Sequence, residues 1–247
     1  MTGGSPRAAW LAKWTYAHRG LHSPGVPENS PSAFAAAIAC GMGIECDVQR
    51  SSDGQAVVFH DWELGRLTGE SGPVGTRSAA ELGAIGLSGN GEPIPSLQEV
   101  LALVAGRVPL LIEVKSKRGL PVHHLCQAVG RDIEGYSGDF AVMSFDPRVS
   151  RWFAAHAPRV VRGLVVTEEH DKGLRGTIRR WLSVRAGKPD FLAYDIRDLP
   201  SRFAATQRAR GLPVLTWTVR SAQLREHAAI HADAPIAEGA GAKAEVA

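Results

Sequence analysis

Residues 30–48 read SPSAFAAAIACGMGIECDV, and they hold two elements of different period. Ser30 followed by Pro31 suits a helix start, with a side-chain cap and a proline in the first turn. The run FAAAIA then continues as helix to Cys40. After Gly41 the pattern changes. In Gly43–Val48 the residues alternate, with Ile44, Cys46 and Val48 on one side and Glu45 and Asp47 on the other, which is the period of a strand. The aromatic, apolar run Trp14–His18 before the helix is also strand-like, so the segment reads strand, helix, strand.

The same alternation runs along the chain. Strand-like runs recur at Ala56–His60, Pro109–Lys115, Phe140–Ser144, Val160–Val166, Phe191–Asp195 and Val214–Val219. Helical patterns lie between many of them: Pro95–Ala105, where Ser96 and Glu99 form a capping box, then Val122–Ile133, Pro147–Ala155, Leu199–Arg210 and Ser221–Ala229. Strands interleaved with helices predict a parallel sheet with helices outside it. Eight strands predict an α/β fold, a TIM (β/α)8 barrel in a single domain with its core at about residues 14–237. An open doubly wound sheet is the alternative. A further run at Ala234–Ala237 makes nine candidates for eight places, so one of the later runs is expected to be surplus. Residues 51–55 (SSDGQ) read as a turn. Residues 61–95, polar and Gly-rich, read as an irregular loop after the third strand, short for an insertion. Residues 238–247 read as a disordered tail.

A chain of 247 residues can bury a substantial core without staples. A net charge of +3 without a Lys/Arg run argues against a nucleic-acid partner and requires any anionic ligand to find local positive charge. Cys40, Cys46 and Cys126 form no CxxC pair, which favours a reducing compartment. The opening MTGGSPRAAWLAKW lacks a signal-like apolar stretch, and no run approaches the ~20 apolar residues of a membrane span. A cytoplasmic protein with no transmembrane segment is expected. Nothing in the sequence points to an oligomeric state.

The informative anomaly is charge inside the strands. Glu45 and Asp47 share one face of their strand, and Glu113 and Lys115 repeat the arrangement in LLIEVKS (110–116). His60 and Asp61 end a third strand, as His18 and Arg19 end the first. Any one of these has a bland explanation, a solvated face or a structural ion pair. Four strands carrying charge at the same end do not. In a barrel they deliver His18, Arg19, Glu45, Asp47, His60, Glu113 and Lys115 to one mouth. Three facing carboxylates call for a cation, and an all-oxygen set favours Mg²⁺ or Ca²⁺ over zinc. Arg19 and Lys115 then suit a phosphate, and two histidines suit a general acid and a general base near neutral pH. Together these groups describe phosphoryl-ester chemistry.

In order, HRG (18–20), PENS (27–30), ECDV (45–48), VVFHD (57–61), RLTG (66–69), IPSLQEVL (94–101), LIEVKS (111–116), SFDP (144–147) and TWTV (216–219) resemble the glycerophosphodiester phosphodiesterase family. The resemblance runs from about Tyr16 to Val219. It implies a TIM barrel and a metal-dependent hydrolase cleaving small-molecule glycerophosphodiesters to glycerol phosphate and an alcohol. It implies Glu45, Asp47 and Glu113 as metal ligands, His18 and His60 as the acid–base pair, and Arg19 and Lys115 as phosphate contacts. Trp217 resembles an aromatic near the glycerol, Glu28 and Asn29 a segment at the site's rim, and Asp61 a group that orients its neighbour. The chain departs from the family after Val219, where HADAPIAEG (231–239) replaces a G-x-I-T-D-x-P-like closing strand. A lysophospholipase D or phospholipase C-like enzyme acting on lipids is the alternative activity, and a catalytically silent phosphate-binding barrel is the alternative from another class.

Overall fold

A computed structural model of the chain describes residues 6–117, 119–169 and 171–242. The helix expected from Ser30 is α1, Pro31–Ala39; Ser30 accepts a bond from the Ala33 N–H, and Pro31 sits in the first turn. It leads into β2, Gly43–Arg50, and it follows β1, Tyr16–Ala17. Each of the nine strand-like runs of the sequence contains a strand. The chain divides into two compact units, a central one, Arg19–Phe140, and a terminal one made of the residues to His18 and those from Ala141.

In the central unit β2 pairs in parallel with β4, Leu110–Val114, and antiparallel with β3, Ala56–Val58. The surplus strand is therefore β3 and not one of the later runs. Its connection to β2, residues 51–55, is long enough only for a hairpin, whereas a parallel crossover needs a dozen or more residues. Residues 61–95 are not an irregular loop either. They contain a 3-10 turn, Val74–Thr76, and a short helix α2, Ala79–Gly83, opened by a capping box between Ser78 and Glu81. Leu64, Val74, Leu82, Ile85, Leu87 and Ile94 bury themselves against Val57 and Phe59 as a small core of their own. Helix α3, Leu97–Val104, carries the predicted Ser96–Glu99 box and buries Leu97, Val100, Leu101 and Val104; α4, His123–Asp132, follows β4.

In the terminal unit the strands are all parallel and lie in the order β1, β9, β8, β7, β6, β5. They are β5 (Phe140–Ser144, whose first residue falls in the central unit), β6 (Val161–Val166), β7 (Phe191–Asp195), β8 (Val214–Val219) and β9 (Ala234–Ala237). Helices α5 (Pro147–His156), α6 (Leu174–Gly187), α7 (Arg202–Ala209) and α8 (Ala222–His231) alternate with them. The strands are buried on both faces, as in covered parallel sheets, with Tyr16, Phe191, Tyr194 and Ile236 at or near zero exposure. Of the predicted tail, Gly239–Gly241 forms a 3-10 turn and Ala242 is buried; residues 243–247 lie outside the described residues.

Candidate active site

The HRG motif is a turn that only its glycine permits. Arg19 (φ 56°) and Gly20 (φ 78°) are successive left-handed residues. A Cβ on Gly20 would lie 2.8 Å from the Ala33 Cβ, closer than side chains approach. The turn points the Arg19 main-chain N–H at Glu45 Oε2, 3.0 Å away. The Arg19 guanidinium donates to Glu28 Oε1 at 2.7 Å, and its Nε lies 3.2 Å from Asp47 Oδ2. Asn29 is also left-handed (φ 56°), a conformation its short amide tolerates. Its side chain donates to Asp47 Oδ2 (3.1 Å) and accepts from the Asp47 N–H (3.3 Å). Asn29 is thus buried wall, not rim, while Glu28 is partly exposed.

The register of β2 against β4 sets Asp47 opposite Glu113, and alternation brings Glu45 to the same face. One carboxylate oxygen from each of Glu45, Asp47 and Glu113 lies within 4.8 Å of the others, and all three residues are buried. Burial first, then Asp47 and Glu113, pushes the Glu45 carboxyl well above its usual range; burial likewise raises Glu113. Lys115 Nζ lies 3.2 Å from Glu113 and 3.3 Å from Asp47. Burial disfavours its charge, but those two carboxylates outweigh burial and keep it protonated. Three buried oxygen donors that repel one another fit a hard divalent cation. Cys46, between two of them in sequence, is buried, and burial pushes its thiol well up, which suits packing.

Gln49, next on the face of Glu45 and Asp47, donates to the carbonyls of Phe59 (2.9 Å) and Asp61 (2.6 Å) and so holds the His60 loop. His60 Nδ1 lies 2.7 Å from Asp61 Oδ1. Arg66, bonded to Asp61, holds that carboxyl down at about 2. An ionised Asp61 keeps the proton on Nδ1 and leaves Nε2 for proton transfer. Burial lowers the His60 pKa, with Asp47 opposing. Arg66 also donates to Glu28 at 2.7 Å, a bridging role missed in the sequence although Arg66 opens the RLTG motif. Beside Lys115 opens a cavity of about 370 Å³ with Trp62, Leu120, Val122 and Leu125 in its wall.

In the terminal unit His18 Nδ1 lies 2.6 Å from Glu238 Oε2, and Glu238 also accepts from Arg220. Glu238 is the functional candidate that sequence reasoning missed. Nothing local marks it, and the pairing of β1 with β9 brings it to His18. Trp217 spends its indole N–H on the Ala193 carbonyl (2.9 Å) and packs edge-on to Phe145 at 5.6 Å. Its ring, not its N–H, is what it can offer a ligand. Arg19, Glu28, Asn29, Glu45, Asp47, His60, Glu113 and Lys115 thus form one connected network in the central unit.

Residues 18–238 match the model of the glycerophosphoryl diester phosphodiesterase family, from one member of the His18–Glu238 pair to the other. The chain belongs to this family. "Probable glycerophosphodiester phosphodiesterase 2" of Mycobacterium tuberculosis is 32% identical over 227 residues, covering 87% of this chain and 77% of that protein. A glycerophosphodiester phosphodiesterase of Caldanaerobacter subterraneus subsp. tengcongensis is 38% identical over 114 residues, 43% of this chain and 46% of the relative; that match spans under half the relative's length. Among solved structures, an Oleispira antarctica phosphodiesterase in complex with its product sn-glycerol-3-phosphate aligns with a TM-score of 0.81 at 24% identity, over 93% of this chain and 94% of that one. That likeness establishes the fold of this family member as a TIM (β/α)8 barrel, with β3 as the extra strand.

Proposed function

We propose that the chain is a single catalytic domain, core 14–237, that hydrolyses glycerophosphodiesters to glycerol 3-phosphate and an alcohol in the cytoplasm. The observation that carries this reading is the buried convergence of Glu45, Asp47 and Glu113, with Lys115, Arg19 and an Asp61-oriented His60 around it. The three carboxylates hold Mg²⁺ or Ca²⁺, which when bound polarises the phosphate and lowers the charge that a nucleophile must approach. Arg19 and Lys115 fix the phosphate and offset charge developing on its oxygens. One imidazole of His18 and His60 takes the proton of the nucleophile, water or the neighbouring glycerol hydroxyl, as its oxygen bonds to phosphorus. The bond from phosphorus to the alcohol oxygen breaks, and the other imidazole gives that oxygen a proton. With the glycerol hydroxyl as nucleophile, water then opens a cyclic phosphate by the same exchange in reverse. Glu238 orients His18 as Asp61 orients His60, and the Trp217 ring backs the glycerol. Hydrolysis of glycerophosphocholine or glycerophosphoethanolamine with Mg²⁺ or Ca²⁺ tests the reading. Activity untouched by EDTA, or surviving in Glu45→Gln, overturns the metal role.

The apolar wall of Trp62, Leu120 and Leu125 beside Lys115 favours a second reading, a lysophospholipid whose apolar part lies in that cavity. Relative rates on soluble diesters and on lysolipid micelles separate the two, and Trp62→Ala lowers kcat/KM on lysolipid alone if the second holds.

A further inference from the structure

Helix α6 is built inside out. Its buried positions are Gly176, Arg180 and Gly187, whereas Leu174, Ile178 and Leu182 are 77%, 51% and 59% exposed. These three recur every fourth residue, so they form one row along the helix. Of the seven exposed large hydrophobic side chains among the described residues, three lie in this row, which makes it a patch and not a scatter. Arg180 turns inward and pairs with Glu168 at 3.1 Å, so the inward charge is accounted for. Exposed Arg175, Arg179 and Arg185 flank the row, Lys172 and Lys188 stand at the helix ends, and Leu174–Gly187 contains no Asp or Glu. Arg179 pairs with Asp171 (3.2 Å) and Lys172 lies 3.6 Å from Asp198, so the positive excess falls on Arg175, Arg185 and Lys188.

We propose that this face of α6 docks on an anionic lipid bilayer, with the helix lying in the interface plane. An apolar row edged by arginines is the pattern of an interfacial helix: the side chains of the row enter the acyl boundary while the guanidinium groups reach the headgroups on flexible stems. Charge chooses the bilayer over a second copy of this chain, because a two-fold contact on this row would set arginines against arginines. No residue of the row belongs to the catalytic network, so the proposal goes beyond the hydrolase reading and does not depend on it.

Cosedimentation of the full chain with phosphatidylcholine vesicles, with and without phosphatidylglycerol, tests it. Binding is expected to the anionic vesicles and to fall in high salt. Leu174→Gln with Leu182→Gln, and separately Arg175→Gln with Arg185→Gln, each weaken it roughly tenfold or more. Turnover of a water-soluble diester and thermal stability stay unchanged in both variants. Equal binding to neutral vesicles, unaltered binding in either variant, or a concentration-dependent dimer that the leucine variant abolishes overturns the proposal.

Discussion

Around Glu168 in the terminal unit, the carboxylate is fully answered. Its oxygens accept from the Tyr194 hydroxyl and from Ser201 Oγ (2.7 Å), and Arg180 Nη2 lies 3.1 Å away. Around Asp47 in the central unit, cations are shared instead. Lys115 serves Asp47 and Glu113, Arg19 serves Glu28 and Asp47, and Glu45 stands with its carboxyl pushed well up. Both clusters are rich in charge and largely shielded from solvent, with Arg180 buried in one and Glu45, Asp47 and Glu113 in the other. One is balanced internally and rigidifies the fold; the other keeps an excess of one sign, which a folded chain retains only where something else completes it.

The contrast fails most visibly if the two carboxylates behave alike when neutralised. Glu45→Gln should lower kcat by roughly 10³-fold, the scale of losing a preorganised electrostatic group. Glu168→Gln should keep activity but lose about 3 kcal/mol of stability in denaturant unfolding, because Arg180 is left buried without its counter-charge. A large activity loss in Glu168→Gln would erase the distinction.

Asp61→Asn probes the next layer. It should reduce kcat by about 10–100-fold, as loss of an orienting partner does. The limb of the pH–rate profile that disappears in His60→Ala should lie below pH 6.5, because burial holds that imidazole under its ordinary value. Asp61→Asn should move the limb lower still, since Asp61 favours the imidazolium. A limb above pH 6.5 contradicts the assignment.

A smaller effect sharpens the charge argument. Glu45 and Glu113 have raised pKa values, so without a cation their protonation favours the folded state. That stability is present below the usual 4.5 and is lost as pH rises through the raised values. A divalent cation takes the place of those protons. The gain in Tm on adding Mg²⁺ or Ca²⁺ over EDTA should therefore grow with pH, and a gain independent of pH would argue against these carboxyls as the site. The smallest change is structural only: Ser96→Ala removes the α3 cap, costing about 1 kcal/mol with activity intact.

Much of this was legible in the residues. Period-two charge in ECDV and LIEVKS announced a shared face, and the β2–β4 register then set Asp47 against Glu113. Ser-Pro and the Ser96–Glu99 pair located two helix starts. Other elements were hidden for identifiable reasons. The small core in residues 61–95 had a signal in Ser78 and Glu81, masked by surrounding glycines. Helix α6 was hidden although Leu174, Ile178 and Leu182 recur at helical spacing: Gly173 supplies no side-chain cap, Gly176 interrupts the run, and the apolar row lies on the exposed side, so it marks no buried one.

Local chemistry along the chain was enough to specify the strands, most helices and the charged residues at strand ends, because each depends on neighbours a few positions away. The antiparallel course of β3 and the meeting of Glu238 with His18 depend on tertiary structure. Both are pairings between strands, made by backbone hydrogen bonds that carry no residue code. A carboxylate 220 positions from its histidine becomes its partner only when β9 lies beside β1.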